Sequence, residues 1–546
     1  MTINILFSFL LTTWFFNGFS PMKDKVDLIV INATIYTADA VNSRAQAMAV
    51  QDGKILAIGS NKTVSDRYDA TKVLDLQGKF VYPGFIDAHC HFTGYAVGLQ
   101  YVDLLGCKSF EEVLDRLKKA KKVVPGQWLV GRGWDQNLWS DKKFPDNVRL
   151  NNLFHNIPVM LIRVDGHVVL ANDKALETAK IDKDNRFGSE QVEVKNGRLT
   201  GILSEMAADR MRAAVPEPSG NELVNLLRSA EQQCFAVGLT TVSDAGLDYS
   251  QVKEMESLQK NGVLKMNAYV MLTPNAKNLD EFVRKGIYTN DRLVVRSIKL
   301  YADGSLGSRT AKLKQPYADA SPGSGIIVTS PDSIRKLCEI AFRSGYQVNT
   351  HCIGDSASHL ILKIYAEFLK EKNDLRWRIE HAQVVDPADI HMFGDYSVIP
   401  SVQATHATSD MRWAGDRLGP ARVRGAYAYR NLMNQNGWIA NGTDFPIENI
   451  SPLFTFYAAV ARKDLSGFPA EGYMMENALS REEALRSVTI WAAKADFMEN
   501  SKGSLEKGKD ADFVVLEEDI MQIPNMAIPG VNVLQTYILG ESVWSK

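Results

Sequence analysis

Cysteine is scarce in this 546-residue sequence, and its few copies lie far apart. The sequence contains five of them, Cys90, Cys107, Cys234, Cys338 and Cys352. This odd, scattered set without CxxC spacing argues against a disulfide framework and against a structural zinc site built from cysteines. A G-x-S-x-G nucleophile elbow is also absent from the sequence, which argues against a serine amidase.

An excess of charge of either sign is missing as well. Lys and Arg total 62 and Asp and Glu total 64, so the formal net charge is −2, and no basic stretch has the length of a nucleic-acid footprint. Hydrophobic residues make up 45% and charged residues 23%, which is typical of a globular protein with a large core. We therefore expect a small-molecule substrate and no nucleic-acid partner, and we leave a homodimer open.

Long apolar runs are missing except at the start of the chain. Residues 3–20 are strongly apolar, and the charged stretch PMKDK follows them. The run is shorter than the roughly 20 residues of a membrane span and has the length of a signal-peptide core, although no Lys or Arg precedes it. We expect residues 1–22 to be a signal peptide that exports the protein to the periplasm or the medium. An uncleaved membrane anchor and a cytoplasmic location are the alternatives.

Short strands and turns occupy both ends of the remaining chain. Residues 27–82 alternate Val, Ile and Tyr with polar residues around Asp-Gly and Gln-Gly turns, and the C-terminal end returns to this pattern. Between the two ends, strands alternate with helical segments, as they do in parallel βα units. We predict an α/β protein in which residues 23–82 and 499–546 form a small β-sandwich and residues 83–498 form a barrel.

Eight apolar runs in the central region predict the strands of this barrel. They are residues 85–91, 238–245, 266–272, 296–303, 346–352, 376–382, 396–405 and 437–444. Eight βα units favour a TIM-type (β/α)8 barrel. Residues 100–225 contain two further convincing strands, and we interpret them as a large insertion after the first barrel strand, a lid or a substrate subdomain.

Histidine is rare, but its positions follow the predicted strands. The sequence has nine histidines, and the run VYPGFIDAHCHF places His89 and His91 two residues apart at the end of the first strand. Alternate side chains of a strand share a face, so these two imidazoles can hold one metal ion. His351 and His381 end the fifth and sixth strands, and Asp444 ends the eighth. Active sites of such barrels lie at these strand ends, so the sequence predicts a metal site there.

Several motifs together resemble one family. They are PGFIDAHCHF, GRGWDQN, RVDGHVVLAN, IKLYADGSLGSRTA, NTHCIGD, RIEHAQ and NGTDFP. From about residue 27 to residue 546 the chain resembles the metal-dependent amidohydrolase superfamily, and within it the YtcJ-like branch that includes N-substituted formamide deformylases. The resemblance implies a metal site made by the HxH pair, the histidines of strands five and six and the aspartate of strand eight. These positions are His89, His91, His351, His381 and Asp444.

Lys299 in the fourth strand matches a lysine that many members of the superfamily carry as a carbamate between two metals. An unmodified ammonium would repel a metal ion, whereas a carbamate is an anionic bridge. We expect zinc or another divalent metal as one ion or two, because zinc lowers the pKa of a bound water to about 7. Asp444 is predicted to accept the proton of that water and to pass it to the departing amine.

Five further residues are predicted to contact the substrate. They are His406 at the end of strand seven, the insertion residues His167, Trp134 and Asp135, and Arg309 in the glycine-rich stretch 302–311. A structural role is the alternative for the three insertion residues. The predicted function is hydrolysis of a non-peptide, amide-type carbon–nitrogen bond in a small molecule. A deaminase or an ester hydrolase of the same superfamily is the main alternative, and a non-catalytic binding protein is the less favoured one.

Overall fold

The computed structural model describes residues 23–120, 128–183, 187 and 191–546. The predicted signal peptide or anchor at residues 1–22 lies outside these described residues. Within them, no helix combines the length and the apolar character that crossing a membrane requires.

Eight parallel strands form the centre of the protein. In chain order the strands β1 to β8 are Phe85–Cys90, Leu239–Leu247, Asn267–Leu272, Leu293–Tyr301, Gln347–Cys352, Arg378–His381, Ile399–Val402 and Ala440–Asn441. Each strand pairs with the next one in the chain, and the main chain after β8 returns to β1, where Asp444 N donates to His89 O over 2.8 Å. The predicted TIM-type barrel is therefore confirmed.

The barrel strands are buried on both faces because helices cover the outside of the barrel. Every residue of β1, β3 and β5 is buried, which is the usual state of strands in a parallel sheet. The helices of this region are Phe92–Gly98, Gly220–Ala236, Tyr249–Lys260, Ala276–Glu281, Pro331–Ser344, Asp355–Leu369, His391–Asp395, Ala404–Asp410, Ala414–Arg422, Tyr429–Asn436, Pro452–Ala461, Arg481–Ser487 and Ile490–Ala495.

One of these helices, Pro331–Ser344, illustrates how the sequence determines both its limits and its packing. Proline occupies its first turn, where no hydrogen bond to the proline nitrogen is needed, and Gly345 ends it with a φ of +67°. Its buried residues Ile334, Cys338 and Ala341 follow the three- and four-residue spacing of one helix face. This face packs on the barrel, and the charged residues between face outward.

Two sheets at the base of the barrel form the predicted β-sandwich. One sheet consists of Asp24–Ile31, Ala47–Gln51, Lys54–Gly59 and Tyr68–Asp75, next to the helix Asn61–Arg67. The other sheet consists of Thr34–Tyr36, Arg44–Ala45, Phe80–Pro83, Phe513–Leu516, Val533–Ile538 and Glu541–Ser545. In the second sheet Val514 pairs with Tyr82 and Val515 with Val81, so strands from the two chain ends are direct neighbours.

The insertion between β1 and β2 is a six-stranded sheet with helices on both faces. Its strands are Val102–Asp103, Leu129–Trp134, Val159–Arg163, Val168–Ala171, Val192–Lys195 and Arg198–Ser204, and its helices are Phe110–Lys119, Val148–Leu153, Asp173–Ala179 and Glu205–Arg212. Alternate strand residues enter two separate cores: Leu129 and Leu161 lie in one, Val130 and Ile162 in the other. The insertion is thus a folded layer with its own cores. The predicted limit at residue 225 falls inside the helix Gly220–Ala236, which packs with the barrel core.

Candidate metal centre

The two histidines of the HxH motif each keep one ring nitrogen without a proton. His89 is fully buried, and its Nδ1 lies 2.7 Å from Oε2 of Glu380. His91 follows β1 directly, and its Nδ1 lies 3.1 Å from the carbonyl oxygen of Ala245. These oxygens accept hydrogen bonds, so each Nδ1 carries the proton and donates it. The Nε2 atoms of both rings are left as lone-pair donors, 3.6 Å and 3.3 Å from Oδ1 of Asp444.

Histidines from β5 and β6 complete the ring cluster. His351 Nε2 donates to the carbonyl oxygen of Gly304 over 3.2 Å, and His381 Nδ1 donates to Oε1 of Gln403 over 2.7 Å. The ring centroid of His381 lies 4.6 Å from that of His351 and 5.0 Å from that of His89. Burial lowers the pKa of all three rings. Neutral imidazole is the form that binds metal ions.

Asp444 is the carboxylate toward which these rings converge. Burial alone would raise the pKa of Asp444, but the close contact with His91 and the charge interactions with His89 and His381 hold it well below its usual range. The residue is 5% exposed, and its Oδ1 has no hydrogen-bond partner among the described residues. His406 brings a further ring nitrogen, Nε2, to 3.8 Å from Oδ2 of Asp444. An ionised carboxylate therefore lies within reach of nitrogen ligands on two sides.

Lys299 lies beside the same histidine pair. Its side chain is buried in β4, and its Nζ is 3.1 Å from Nε2 of His89. Burial lowers the pKa of this amine. The predicted lysine is therefore in the cluster, with its amine pointing at a nitrogen that is otherwise free to bind metal.

The donor set fits a divalent metal ion. Oδ1 of Asp444 and Nε2 of His406 are buried polar atoms without hydrogen-bond partners among the described residues, and such atoms are costly unless something satisfies them. Two groups of three side chains bring ligand atoms within 4.8 Å of one another; they are His89, His91 and Asp444, and His381, His406 and Asp444. Imidazole with carboxylate is a ligand set that suits zinc and similar ions. His406, predicted as a substrate contact, also lies at ligand distance.

Several supporting residues were missed in the sequence. Glu380 orients His89. Burial would raise the pKa of Glu380, but its contacts with His89 and Arg378 lower that pKa, so Glu380 stays ionised. Asp87 accepts hydrogen bonds from the backbone nitrogens of His89 and Thr443 and ties β1 to the chain after β8. The signal was present in RIEHAQ and FIDAHCHF, where each motif has an acidic residue inside a buried strand, next to a predicted ligand.

A cavity of about 370 Å³ opens above the cluster, and we call it the metal cavity. The barrel supplies Lys299, Asp444 and the histidines His91, His351 and His381, while the insertion supplies Asp135, Arg163, Asp165 and His167. His167 and Asp135, which the sequence analysis predicts as substrate contacts, therefore line the metal cavity. The insertion closes one side of the site instead of extending away from it.

Arg163 is the central residue of this insertion wall. Its Nη2 donates to Oδ1 of Asp135 over 2.6 Å, its Nε donates to Oε1 of Gln136 over 2.8 Å, and its Nη1 donates to Asp165. Arg163 is 1% exposed. Each nitrogen of its guanidinium has a partner, so Arg163 fixes the two aspartates that face the cavity.

Two predicted substrate contacts lie elsewhere. Trp134 is 1% exposed, and its Nε1 donates to the carbonyl oxygen of Leu161 within the insertion core. Arg309 forms an ion pair with Asp319 beside Arg417, in a smaller pocket outside the metal cavity. Trp134 packs in the apolar core of the insertion, and Arg309 is paired with a carboxylate. Neither side chain is among those that line the metal cavity.

Comparison with known proteins gives similarity over nearly the whole chain. Protein LONG AFTER FAR-RED 3 from Arabidopsis thaliana is 31% identical over 96% of this chain and 92% of its own length. The putative amidohydrolase YtcJ of Bacillus subtilis is 30% identical over 94% and 98%. The N-substituted formamide deformylase of Arthrobacter pascens is 27% identical over 95% and 98%.

Solved structures and a family model agree with these relatives. An uncharacterised metal-dependent hydrolase from Pyrococcus horikoshii has a TM-score of 0.75 and 29% identity, and the match covers 91% of this chain and 99% of that one. The model of the amidohydrolase family matches residues 72–544. The match includes the barrel, the insertion and the strands of the β-sandwich from Phe80–Pro83 onward. The chain belongs to the amidohydrolase family, and it is an enzyme that hydrolyses carbon–nitrogen bonds.

Proposed function

We propose that the protein cleaves an amide-type, non-peptide carbon–nitrogen bond of a small molecule with the help of one or two divalent metal ions, zinc in the first instance. The observation that carries the proposal is the convergence at Asp444 of the Nε2 atoms of His89, His91 and His406, which lie 3.3–3.8 Å from its carboxylate oxygens. In this proposal the residues that would hold metal are His89, His91, His351, His381 and Asp444. Family membership over residues 72–544 supports the same chemistry.

The residues of the site divide the chemical work. When bound, a divalent metal ion activates a water molecule and polarises the carbonyl group of the substrate. Asp444 accepts the proton of the water and delivers it to the leaving nitrogen, first as a base and then as an acid. Glu380 holds the ring of His89, and Gln403 holds the ring of His381, in the tautomer whose Nε2 carries no proton. The insertion wall around Arg163 limits the space that the substrate can occupy.

We propose further that Lys299 is carboxylated. Its amine lies 3.1 Å from a ligand nitrogen of His89 in a buried position, where an ammonium would oppose a cation and a carbamate would attract one. Lys299→Ala is expected to lose activity and bound metal, and short carboxylic acids are expected to restore part of both. Lys299→Arg is the matched control, because a guanidinium is expected neither to form the carbamate nor to leave room for an added acid.

The substrate class that we propose to test first is N-formyl and N-acyl amines. The support comes from the N-substituted formamide deformylase, which is similar to this chain over almost its full length. The test is to remove metal with a chelator, to add back zinc, manganese or cobalt one at a time, and to follow amine release. We expect no turnover without metal and recovery with it. Equal rates before and after metal removal would refute the proposal.

The same assay separates the alternatives. Release of ammonia from aminated heterocycles would identify a deaminase, and cleavage of the matching esters alone would identify an ester hydrolase. His391→Ala is the control variant for these measurements, since His391 lies on the surface with a side chain that is 64% exposed. If substitutions in the histidine cluster remove both bound metal and activity while His391→Ala keeps both, the reaction takes place at the cluster.

Location and assembly are separate proposals. We propose that residues 1–22 export the protein, because they are apolar and are followed by charged residues. Fractionation of cells that express the full chain and a chain starting at residue 23 tests this. An unchanged location of the two chains would refute it. Size-exclusion chromatography with light scattering tests whether the protein forms a homodimer.

A further inference from the structure

A second cavity adjoins the metal cavity, and we call it the arginine cavity. Its volume is about 510 Å³, and it is lined mainly by the insertion, including Arg132, Glu205, Asp209 and Arg212. His91, Asp165, His167, Tyr301 and Ile447 line both cavities. A molecule at the metal centre can therefore extend past His91 and Tyr301 into the arginine cavity.

Arg132 is the charged group of this cavity that lacks a partner. It lies on the insertion strand Leu129–Trp134, and its Nε is buried without a hydrogen-bond partner among the described residues. The described residues also place no carboxylate in an ion pair with it. A buried polar atom without a partner is costly to a folded protein, so the Nε of Arg132 calls for a ligand.

The other charges of the arginine cavity are already paired. Glu205 accepts a hydrogen bond from Nδ1 of His167 over 3.0 Å; burial would lower the pKa of His167, but Glu205 raises it to about 9. Arg212 forms an ion pair with Asp209 and donates to the carbonyl oxygen of Gly166. Asp165 and Asp444 act on Arg132 only from a distance, so no described carboxylate is in direct contact with its guanidinium.

Arg132 keeps this charge at neutral pH. Burial lowers the pKa of its guanidinium to about 10, and the nearby charge of Arg212 adds to the shift. The group is therefore protonated at pH 7 and attracts an anion. A guanidinium presents parallel N–H donors whose spacing matches the two oxygens of a carboxylate.

We infer that the substrate carries a carboxylate, which Arg132 binds in the arginine cavity while the bond to be cleaved lies at the metal centre. This inference rests on the proposed function and narrows it from simple amides to acylated amines that bear a carboxylate, such as N-acyl amino acids. His91 and Tyr301, which line both cavities, would lie along the body of such a molecule.

The test compares acids with their neutral esters. A panel of N-formyl and N-acetyl amino acids is assayed beside the corresponding methyl esters, which are similar in shape and lack the charge. For the wild-type enzyme with metal added we expect a higher kcat/KM for the acids. Arg132→Met should lower kcat/KM for the acids by about 10- to 100-fold, as the loss of a charged hydrogen-bonded pair does, and should leave the values for the esters unchanged.

A control variant and a conservative variant sharpen this result. Arg149→Met removes an arginine that is paired with Glu111 on the surface of the insertion, and it should change neither substrate series. Arg132→Lys keeps the charge but loses the paired donors, so it should recover part of the preference for acids. An equal loss for acids and esters in Arg132→Met would show a structural role of Arg132 and would overturn the inference.

Binding measurements distinguish a failure of the inference from a failure of the proposed function. Calorimetry with the same acids and esters is carried out on the wild-type enzyme and on Arg132→Met. If no compound is hydrolysed but the acids bind more tightly than the esters only in the wild type, the anion site stands and the proposed reaction falls. If acids and esters bind equally, or if Arg132→Met binds the acids as well as the wild type does, the inference falls whatever the reaction is.

Discussion

The barrel strand ends and the insertion both face the metal cavity, but they hold their polar side chains in different ways. On the barrel, His89 and His381 each donate to one neighbour through Nδ1 and keep Nε2 without a proton. On the insertion, Arg163 uses all of its nitrogens on Asp135, Gln136 and Asp165, whereas the buried Nε of Arg132 on the neighbouring strand finds no partner among the described residues. The difference teaches that the barrel presents ligand atoms for the reaction, while the insertion shapes the space around them.

Removal of a barrel ligand should have the largest effect. His89→Ala is expected to abolish measurable hydrolysis and to lower the amount of bound metal, because it removes a ligand nitrogen and leaves Glu380 buried without its histidine partner. Metal analysis and the amine-release assay measure the two effects. His391→Ala should behave like the wild type. A His89→Ala enzyme with normal metal content and turnover would show that the barrel strand ends do not supply the metal ligands.

Asp444→Asn should separate proton transfer from metal binding. The amide keeps an oxygen near His91, but it cannot act as a base near neutral pH. We expect kcat to fall by about 100-fold or more, which is the usual range for the loss of general acid–base catalysis, while part of the metal and the substrate affinity remains. Steady-state kinetics together with metal content test this. Full activity in the variant would exclude Asp444 from the proton transfer.

Arg163→Met tests the conclusion that the insertion shapes the space around the metal cavity. It leaves Asp135 and Asp165 near a cavity without their cation, and the loss of one member of a buried charge network typically costs about 3–5 kcal/mol in the free energy of unfolding. Arg132→Met breaks no ion pair among the described residues and removes a buried donor without a partner, so its stability should equal or exceed that of the wild type. Denaturant unfolding of both variants measures the contrast. Equal destabilisation would mean that the two arginines do not differ in role.

Glu380→Gln should have the smallest of these effects. The substitution keeps the shape but weakens the hydrogen bond that orients His89, and loss of such a partner typically lowers metal affinity or activity by about 10- to 100-fold. Metal titration of the variant measures it. Glu371→Gln serves as a control, since this residue is exposed at a helix end far from the cluster in the fold. A Glu380→Gln protein with unchanged metal affinity would show that the ring of His89 is held by packing alone.

Much of the barrel could be predicted because its strands are buried on both faces and therefore appear as continuous apolar runs. Strand ends were less accurate: the predicted run 396–405 contains only the four-residue strand Ile399–Val402, and the next residues enter the helix Ala404–Asp410. His406 consequently sits on a helix rather than on a strand. In the insertion, strands at 129–134 and 159–163 were visible in the sequence, whereas short edge strands such as Val102–Asp103 have too little apolar pattern to predict.

The sequence by itself determined which residue types would meet at the barrel mouth. The two-residue spacing of His89 and His91 and the position of each ligand at the end of an apolar run follow from strand geometry alone. Only the tertiary structure decided which partners they would have. Glu380 reaches His89 from a strand that lies far along the chain, and Arg163 and Arg132 occupy similar strand positions in sequence but differ completely in their neighbours. Hydrogen bonds between distant segments depend on how the layers pack, and local sequence pattern carries no record of that packing.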